Sequence, residues 1–142
     1  MGYGLPAAIA AKLCHPDRFV VALAGDGCFQ MTSQELATAV QFGLPIIVII
    51  ANNGVLGTIR MHQERRYPGR VTATTLVNPD FVALAEAMGA SGFKVSNRGE
   101  FQAAFAQALT STKPAVIELT MDADAIGPGQ ALSDLGGAPA KT

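Results

Sequence analysis

Short apolar runs alternate with stretches of helical spacing along most of the chain. The runs are mostly aliphatic, as in buried strands of a parallel sheet, and they predict strands over 19–24, 46–51, 92–95 and 115–121. Apolar residues at helical spacing predict helices over 5–14, 33–42, 79–88 and 98–110, with a further short helix after Asn53. This alternation predicts an α/β domain of three layers, with helices on both faces of a parallel sheet.

Breaker and capping residues set the predicted boundaries of these elements. Residues 29–32 are predicted to form an irregular turn, and residues 70–77 show no clear period and are predicted to form a loop. Asn78 is a favourable N-cap and Pro79 a favourable first helical residue. The helix over 79–88 is therefore predicted to begin at Pro79.

Length and composition are consistent with one domain that packs against other surfaces. Residues 1–121 are predicted to form that domain, and the Gly-, Pro- and Ala-rich tail over 122–142 is predicted to be extended or partly disordered. Apolar residues make up 49% of the 142 residues and charged residues 15%, which favours burial of some surface against other domains or subunits. The net charge of −1 gives no reason to expect nucleic acid as a partner.

The sequence predicts neither membrane insertion nor secretion. Its uninterrupted apolar runs are shorter than the roughly 18 residues that indicate a transmembrane helix, and its first residues lack the charged and apolar regions of a secretory signal. Cys14 and Cys28 form no CxxC or metal-binding pattern. Both cysteines are therefore expected to be reduced in a cytoplasmic protein.

Two polar motifs each follow a predicted strand. A GDG motif follows the first strand and an NN pair follows the second, with 24 residues between the motifs. Parallel strands joined by a helical crossover place both motifs at the carboxyl edge of the sheet. Asp26 and Asn53 then offer a carboxylate and a carboxamide to one ion, a pair that suits Mg²⁺ with phosphate oxygens. Gly25 and Gly27 allow the backbone to approach such a phosphate closely.

These motifs and their flanks resemble the cofactor-binding sequence of thiamine diphosphate (ThDP) enzymes. MGYGLPAAIAAKL precedes GDG, FQMTSQELATAVQFGLPI lies between the motifs, and NNGVLGTIR begins at the NN pair. The resemblance covers about residues 1–120 and is closest to the carboxyl-terminal, diphosphate-binding domain of the acetolactate synthase-like group. It implies the ThDP-binding fold, with a first strand and helix that precede this chain because the resembled domain has more strands than are predicted here.

The resemblance implies roles for nine residues. The metal ligands match Asp26, Asn53 and the backbone carbonyl of Val55, and the cofactor contacts match Met1, Gly25, Gly27, Cys28, Leu56 and Gly57. Met1 matches the apolar residue that supports the bent cofactor beneath its thiazolium ring, and Cys28 is expected to contribute its backbone amide. Local structure offers alternatives, which are a capping Asp26, an Asn-Gly turn at Asn53, loop packing by Leu56 and Gly57, and a Met1 that is only the first residue.

The resemblance also implies a reaction and partners. The reaction is decarboxylation of a 2-keto acid with transfer of the acyl-carbanion equivalent, and a decarboxylase, an aldehyde lyase or an oxidase of the same group, with or without FAD, is the alternative. In the family the activating glutamate comes from the pyrimidine-binding domain of a neighbouring subunit, and the context of Glu35 does not match it. The implied protein is a cytoplasmic homo-oligomer with a pyrimidine-binding domain on the same or another chain, and the isolated chain is expected to be inactive.

Other residues are interpreted as surface features. Arg60, Arg65, Arg66 and Arg70 cluster after the NN pair and are expected to form a solvated face or a subunit contact, with contact to a substrate carboxylate as the alternative. His62 is expected at the surface or an interface, with a catalytic base as its alternative. A non-catalytic module that keeps the fold is a rival interpretation. A dinucleotide-binding domain is a second rival, but it requires a GxGxxG motif that GDGCFQ does not fit.

Overall fold

The computed structural model describes residues 1–127, 130–132 and 134–135 of the chain. The helices within these ranges are α1 (Gly4–Cys14), α2 (Asp26–Gln30), α3 (Glu35–Gln41), α4 (Gly57–Arg66), α5 (Phe81–Ala87) and α6 (Arg98–Thr110). The strands are β1 (Val21–Gly25), β2 (Ile47–Asn52), β3 (Ser91–Val95), β4 (Ala115–Thr120), β5 (Ala125–Gly127) and β6 (Gln130–Ala131). None of the helices described is long and apolar enough to cross a membrane.

The first four strands form one parallel sheet in the order β1-β2-β4-β3. Residues of β2 alternate between its two faces because successive side chains of a strand point to opposite sides. Val48 and Ile50 pack with α1, α2, α3 and α5, whereas Ile47 packs with α6. The predicted three-layer α/β architecture is therefore confirmed.

The outer face of β1 differs from its prediction as a buried strand. Phe19, Val21 and Leu23 are 73%, 45% and 72% exposed, and they lie outside both apolar clusters of buried residues. Only Ala22, on the opposite face, is buried in the strand. The prediction was wrong because an apolar run shows what a strand can bury but not whether another element covers it.

A short helix takes in the first half of the turn predicted over 29–32, and a turn follows over 31–34. Helix α2 begins at Asp26 and contains Phe29, whose side chain is 1% exposed. The Phe29 ring packs edge-on against Phe81, with ring centroids 5.7 Å apart and planes at 82°. This aromatic contact joins the segment after GDG to the beginning of α5.

Helix α5 begins two residues later than predicted. Asp80, and not Asn78, is its N-cap, because the Asp80 Oδ1 accepts hydrogen bonds from the amides of Val82 and Ala83, each at 3.0 Å. The sequence Asn-Pro-Asp contains two favourable caps, and propensity alone does not choose between them. Asn78 is thereby free for another contact.

Removal of the Asp80 cap is expected to destabilise the protein modestly. Asp80→Ala leaves two amides of the first turn without their acceptor, so we expect a loss of about 1 kcal/mol in the free energy of unfolding. Urea denaturation measures this loss. Asn97→Ala is the matched comparison, since Asn97 caps α6 through the amide of Glu100. If Asp80→Ala left the stability unchanged while Asn97→Ala lowered it, the assignment of Asp80 as the N-cap of α5 would be contradicted.

The segment predicted as a tail contains a small antiparallel ribbon. Strands β5 and β6 pair with each other, and helix α4 contacts β5. The predictions for residues 128, 129, 133 and 136–142 lie outside the described residues.

Candidate functional site

Strands β1 and β2 end side by side at one edge of the sheet. They are parallel neighbours, with Gly25 opposite Ala51. The chain continues from these ends into Asp26 on one strand and into Asn53 on the other. The sequence prediction that both motifs lie at the carboxyl edge of adjacent strands is therefore correct.

A cavity of about 760 Å³ opens at this edge. All nine residues that the resemblance singled out line it, namely Met1, Gly25, Asp26, Gly27, Cys28, Asn53, Val55, Leu56 and Gly57. The volume lies within the range of pockets that take a small cofactor. The fold thus brings the predicted residues together, while their individual roles stay predictions.

The carboxylate of Asp26 is buried and held by three donors. Only 3% of the residue is exposed. Its Oδ1 accepts the amide of Gly27 at 2.8 Å, and its Oδ2 accepts the amide of Gly54 at 2.9 Å and the Nδ2 of Asn78 at 2.7 Å. A carboxylate oxygen has two acceptor positions, so Oδ2 is fully used and Oδ1 retains one. Oδ1 is therefore the oxygen available to a cation.

The NN segment folds into a tight turn beside this carboxylate. The Oδ1 of Asn53 accepts the amide of Val55 at 3.2 Å, and Gly54 has a φ of +68°, which favours glycine. Val55 is 6% exposed and forms an isolated antiparallel bridge with Thr75. The loop predicted over 70–77 therefore fixes the turn that carries Asn53 and Val55.

The two glycines of the GDG motif are needed for different reasons. A Cβ on Gly27 would lie 2.7 Å from the Cδ2 of Leu56, so this glycine allows Leu56 to pack. A Cβ on Gly25 would meet no atom within 4 Å, although Gly25 lines the cavity. Gly25 therefore keeps open a space that no protein atom fills, as a cradle for a ligand would require.

Gly25→Ala is expected to impair ligand binding without unfolding the protein. The methyl group has room in the ligand-free protein, and Gly25 has an ordinary φ of −71°. It would occupy ligand space, so we expect ThDP affinity to fall by about tenfold, as for a ligand contact worth about 1.4 kcal/mol. Calorimetric titration and thermal melting together test this. Gly4→Ala in α1 is the control, and equal ThDP affinity for Gly25→Ala and the wild type would contradict the prediction.

Apolar residues outside the two motifs also line the cavity. Ile59 and Met61 of α4 line it, and so does Met121, which directly follows β4. Helix α4 was predicted only as a short helix after Asn53, so these contacts were missed. Ile59 and Met61 lie within about two turns of the NN pair in the sequence, whereas Met121 is 68 residues away from Asn53 and had no such signal.

The arginine cluster, His62 and Glu35 do not line this cavity. Arg65, Arg66 and Arg70 are exposed, and the guanidinium groups of Arg66 and Arg70 lie 5.9 and 5.5 Å from the Tyr67 ring centroid. His62 is also exposed, and Glu35 accepts the hydroxyl of Thr38 within α3. Arg65, Arg66, Arg70 and His62 therefore have the predicted surface positions. Arg60 departs from a solvated face, because it is partly buried and its Nε is buried with no hydrogen-bond partner among the described residues.

Comparison with known proteins identifies the family. Residues 1–119 match the model of the thiamine pyrophosphate enzyme family, C-terminal TPP binding domain. The chain belongs to this family. Thiamine pyrophosphate is the same compound as ThDP, so the resemblance carried by GDG, NN and their flanks is confirmed.

Relatives include acetolactate synthases. The chain is 40% identical to acetolactate synthase of Arthrospira platensis over 144 residues, which is 96% of this chain and 25% of that protein. It is 44% identical to a putative thiamine pyrophosphate-containing protein of Bacillus subtilis over 131 residues, 92% of this chain and 22% of that protein. The chain therefore spans about a quarter or less of the length of these relatives.

A solved structure has the same fold. The ThDP-dependent 4-hydroxybenzoylformate decarboxylase of Rhodococcus jostii superposes with a TM-score of 0.82 at 37% identity. The match covers 86% of this chain and 23% of that one. The fold of this chain is therefore that of a domain of a ThDP-dependent enzyme.

The chemistry of the cavity fits ThDP with a hard cation. Asp26 and Asn53 contribute oxygen atoms, and Gly25 leaves the space where a diphosphate could lie close to the backbone. Among the described residues, no group of three or more His, Cys, Asp or Glu could hold a metal by itself. A cation here would need ligand oxygens in addition to protein atoms, and a diphosphate supplies them.

Proposed function

We propose that this chain binds ThDP through Mg²⁺ as the diphosphate-binding part of an acetolactate synthase-like enzyme. The observation that carries the proposal is that all nine expected site residues line one cavity at the ends of β1 and β2. Membership of the C-terminal TPP binding family supports the choice of cofactor. Identities of 40% to acetolactate synthases support the enzyme group.

In this proposal Mg²⁺ takes three protein ligands. These are Oδ1 of Asp26, the side-chain oxygen of Asn53 and the backbone carbonyl of Val55. Diphosphate oxygens and water would supply the further oxygen ligands that Mg²⁺ prefers. The free acceptor position on the buried Asp26 Oδ1 supports this assignment.

The remaining site residues hold the organic cofactor. Gly25, Gly27 and Cys28 bring the backbone close to the diphosphate, and Leu56 and Gly57 lie along the same phosphates. The amide of Gly27 already donates to Asp26, so its part is to orient that ligand as well as to allow close approach. Met1, which is 67% exposed and lines the cavity, would support the cofactor as the family resemblance implies. ThDP supplies the carbanion-stabilising chemistry that side chains lack.

The proposed substrate is a 2-keto acid that loses carbon dioxide. The acyl-carbanion equivalent is then transferred to a second carbonyl compound, as the likeness to acetolactate synthases supports. A simple decarboxylase is the second candidate, because the structural neighbour with a TM-score of 0.82 is a decarboxylase. Ile59, Met61 and Met121 give the cavity apolar lining that the organic part of either substrate could contact.

Turnover is proposed to need a partner domain. The activating glutamate would come from a pyrimidine-binding domain on the same or another chain, in a homo-oligomer of the cytoplasm. Relatives several times longer than this chain leave room for such a domain. The exposed apolar face formed by Phe19, Val21 and Leu23 supports a larger assembly. The chain by itself is therefore expected not to turn over substrate.

A comparison of ThDP with thiamine tests the proposed function. Each is titrated calorimetrically into the 142-residue chain, with Mg²⁺ and with a chelator in its place. We expect ThDP to bind in the presence of Mg²⁺. Binding should be much weaker when the metal is chelated, or when thiamine, which lacks the diphosphate, replaces ThDP. Equal binding of thiamine and ThDP would contradict a diphosphate site. Failure of ThDP to bind here and after fusion to a pyrimidine-binding domain would contradict the proposal as a whole.

A further inference from the structure

Asn78 joins the two cofactor motifs from a distant part of the chain. Its Nδ2 donates one hydrogen bond to Asp26 Oδ2 at 2.7 Å and another to Asn52 Oδ1 at 2.8 Å. Asp26 begins the segment after β1 and Asn52 ends β2. One side-chain amide, 52 positions away from Asp26, therefore bridges the ends of two strands.

The neighbours of Asn78 determine the orientation of its amide group. Asp26 accepts hydrogen bonds and does not donate them when ionised, so the group that faces it must be the NH₂ of Asn78. The Oδ1 of Asn78 then faces the other way, where it accepts the Nε2 of Gln30 at 2.6 Å. Both hydrogens and the oxygen of this side chain are thus engaged.

Asn52 is held in turn from the centre of the sheet. Its Oδ1 accepts the amide of Gly54 at 3.2 Å, which leaves its Nδ2 to donate to Glu118 Oε1 at 2.8 Å. Glu118 is 2% exposed in β4. A continuous set of hydrogen bonds therefore runs from the buried strand β4 through Asn52 and Asn78 to Asp26.

Helix capping does not account for the position of Asn78. Asp80 already caps α5 through two amides. The neighbouring Val77 is 98% exposed, whereas Asn78 is partly buried against the motifs. The chain thus exposes an apolar residue and turns a polar one inward, which indicates that the polar contact defines this segment.

We propose that Asn78 is a positioning residue for the metal-ligating carboxylate of Asp26. It occupies Oδ2 together with the amide of Gly54, so that Oδ1 faces the cation. This inference rests on the proposed function, because it assigns Asp26 as a ligand. Outer-shell partners of metal ligands typically contribute about 10- to 100-fold to metal affinity.

Substitution of Asn78 tests the inference through metal affinity. Mg²⁺ is titrated into each protein in the presence of excess ThDP, at a temperature where all variants are folded. Asn78→Ala is expected to weaken Mg²⁺ binding by about 10-fold or more. Asn97→Ala, which removes the cap of α6 outside the cavity, is expected to bind as the wild type. Equal affinities for Asn78→Ala and Asn97→Ala would overturn the inference.

Mn²⁺ provides a spectroscopic reading that a loss of stability would not change. Mn²⁺ bound in place of Mg²⁺ gives an electron paramagnetic resonance spectrum that depends on the ligand geometry. Asn78→Ala is expected to broaden or shift this spectrum in the folded protein, and Asn97→Ala is expected to leave it unchanged. Identical spectra for the wild type and Asn78→Ala would overturn the inference.

Nuclear magnetic resonance of the ligand-free chain separates this inference from the proposed function. The side-chain NH₂ of Asn78 is expected to be ordered and protected from exchange, and Asn78→Ala is expected to shift the carboxyl carbon of Asp26. A freely rotating, unprotected Asn78 amide would overturn the inference even if ThDP binds. An ordered amide in a chain that binds no ThDP, either alone or after fusion to a pyrimidine-binding domain, would instead contradict the proposed function and leave only the contact between Asn78 and Asp26.

Discussion

Asp26→Asn is expected to abolish Mg²⁺-dependent ThDP binding. The carboxamide keeps the shape of the side chain but removes the negative charge that a hard cation requires. It also replaces one acceptor oxygen by a donor, although Gly27, Gly54 and Asn78 all donate to this group. Loss of an outer-shell partner typically lowers metal affinity by about 10- to 100-fold. Because Asp26 is proposed as a direct ligand, we expect Mg²⁺ affinity to fall by about 100-fold or more. Titration of Mg²⁺ in the presence of ThDP measures it.

Asp17→Asn is the matched control for this substitution. Asp17 is exposed in the turn after α1 and does not line the cavity. The control should bind Mg²⁺ and ThDP as the wild type does. If Asp26→Asn bound ThDP with the same Mg²⁺ dependence as the wild type, the cation would not need Asp26 as a ligand.

Phe81→Ala is expected to cause the largest loss of stability. The Phe81 side chain is fully buried and packs edge-on against Phe29 at 5.7 Å. Truncation removes the buried ring and leaves a cavity between α2 and α5, so we expect the free energy of unfolding to fall by about 3–5 kcal/mol. Chemical denaturation of the ligand-free protein measures this value.

Phe101→Ala provides a comparison on the other side of the sheet. Phe101 stacks on Phe105 in α6, but it is only partly buried. Its removal should therefore destabilise the protein less. Since Phe81 also anchors the segment that carries Asn78, Phe81→Ala should weaken ThDP binding even when folded, and Phe101→Ala should not. A smaller loss of stability for Phe81→Ala than for Phe101→Ala would contradict this account of the core.

The sequence was sufficient to locate the site because two motifs determine it. Parallel strands end at the same edge of a sheet, so GDG and NN had to meet once their strands were neighbours. The register of Gly25 opposite Ala51 provides that condition. The pairing of the two strands brings Asp26 and Asn53 together. Local sequence patterns could therefore predict that these residues are close.

Contacts between distant segments could not be predicted in the same way. Asn78 was assigned as a helix cap because Asn-Pro is a favourable start, but Asp80 offers a carboxylate for the same amides. Asn78 instead donates a hydrogen bond to the carboxylate of Asp26, which lies far away in the sequence. Local patterns do not show which of the two residues caps the helix. Asn52 was likewise treated only as part of a motif, although its partner Glu118 lies 66 residues away.

Burial was the other feature that local patterns did not determine. Val21 and Leu23 belong to an aliphatic run, and they resemble the buried residues of β2 in composition. One face of β2 is covered by α6, whereas these two side chains lie outside that cluster and are exposed. Periodicity gives the faces of a strand, and only the arrangement of neighbouring elements decides which faces are covered.

A crystal structure of the chain with ThDP and Mn²⁺ would show where the metal and the diphosphate bind. We expect an anomalous peak within coordination distance of Asp26 Oδ1, the side-chain oxygen of Asn53 and the carbonyl oxygen of Val55, since Mn²⁺ takes the same oxygen ligands as Mg²⁺. Diphosphate oxygens should also contact the metal, with the diphosphate beside the protein backbone at Gly25. Bound ThDP with the metal elsewhere, or with its diphosphate outside this cavity, would contradict the proposed site.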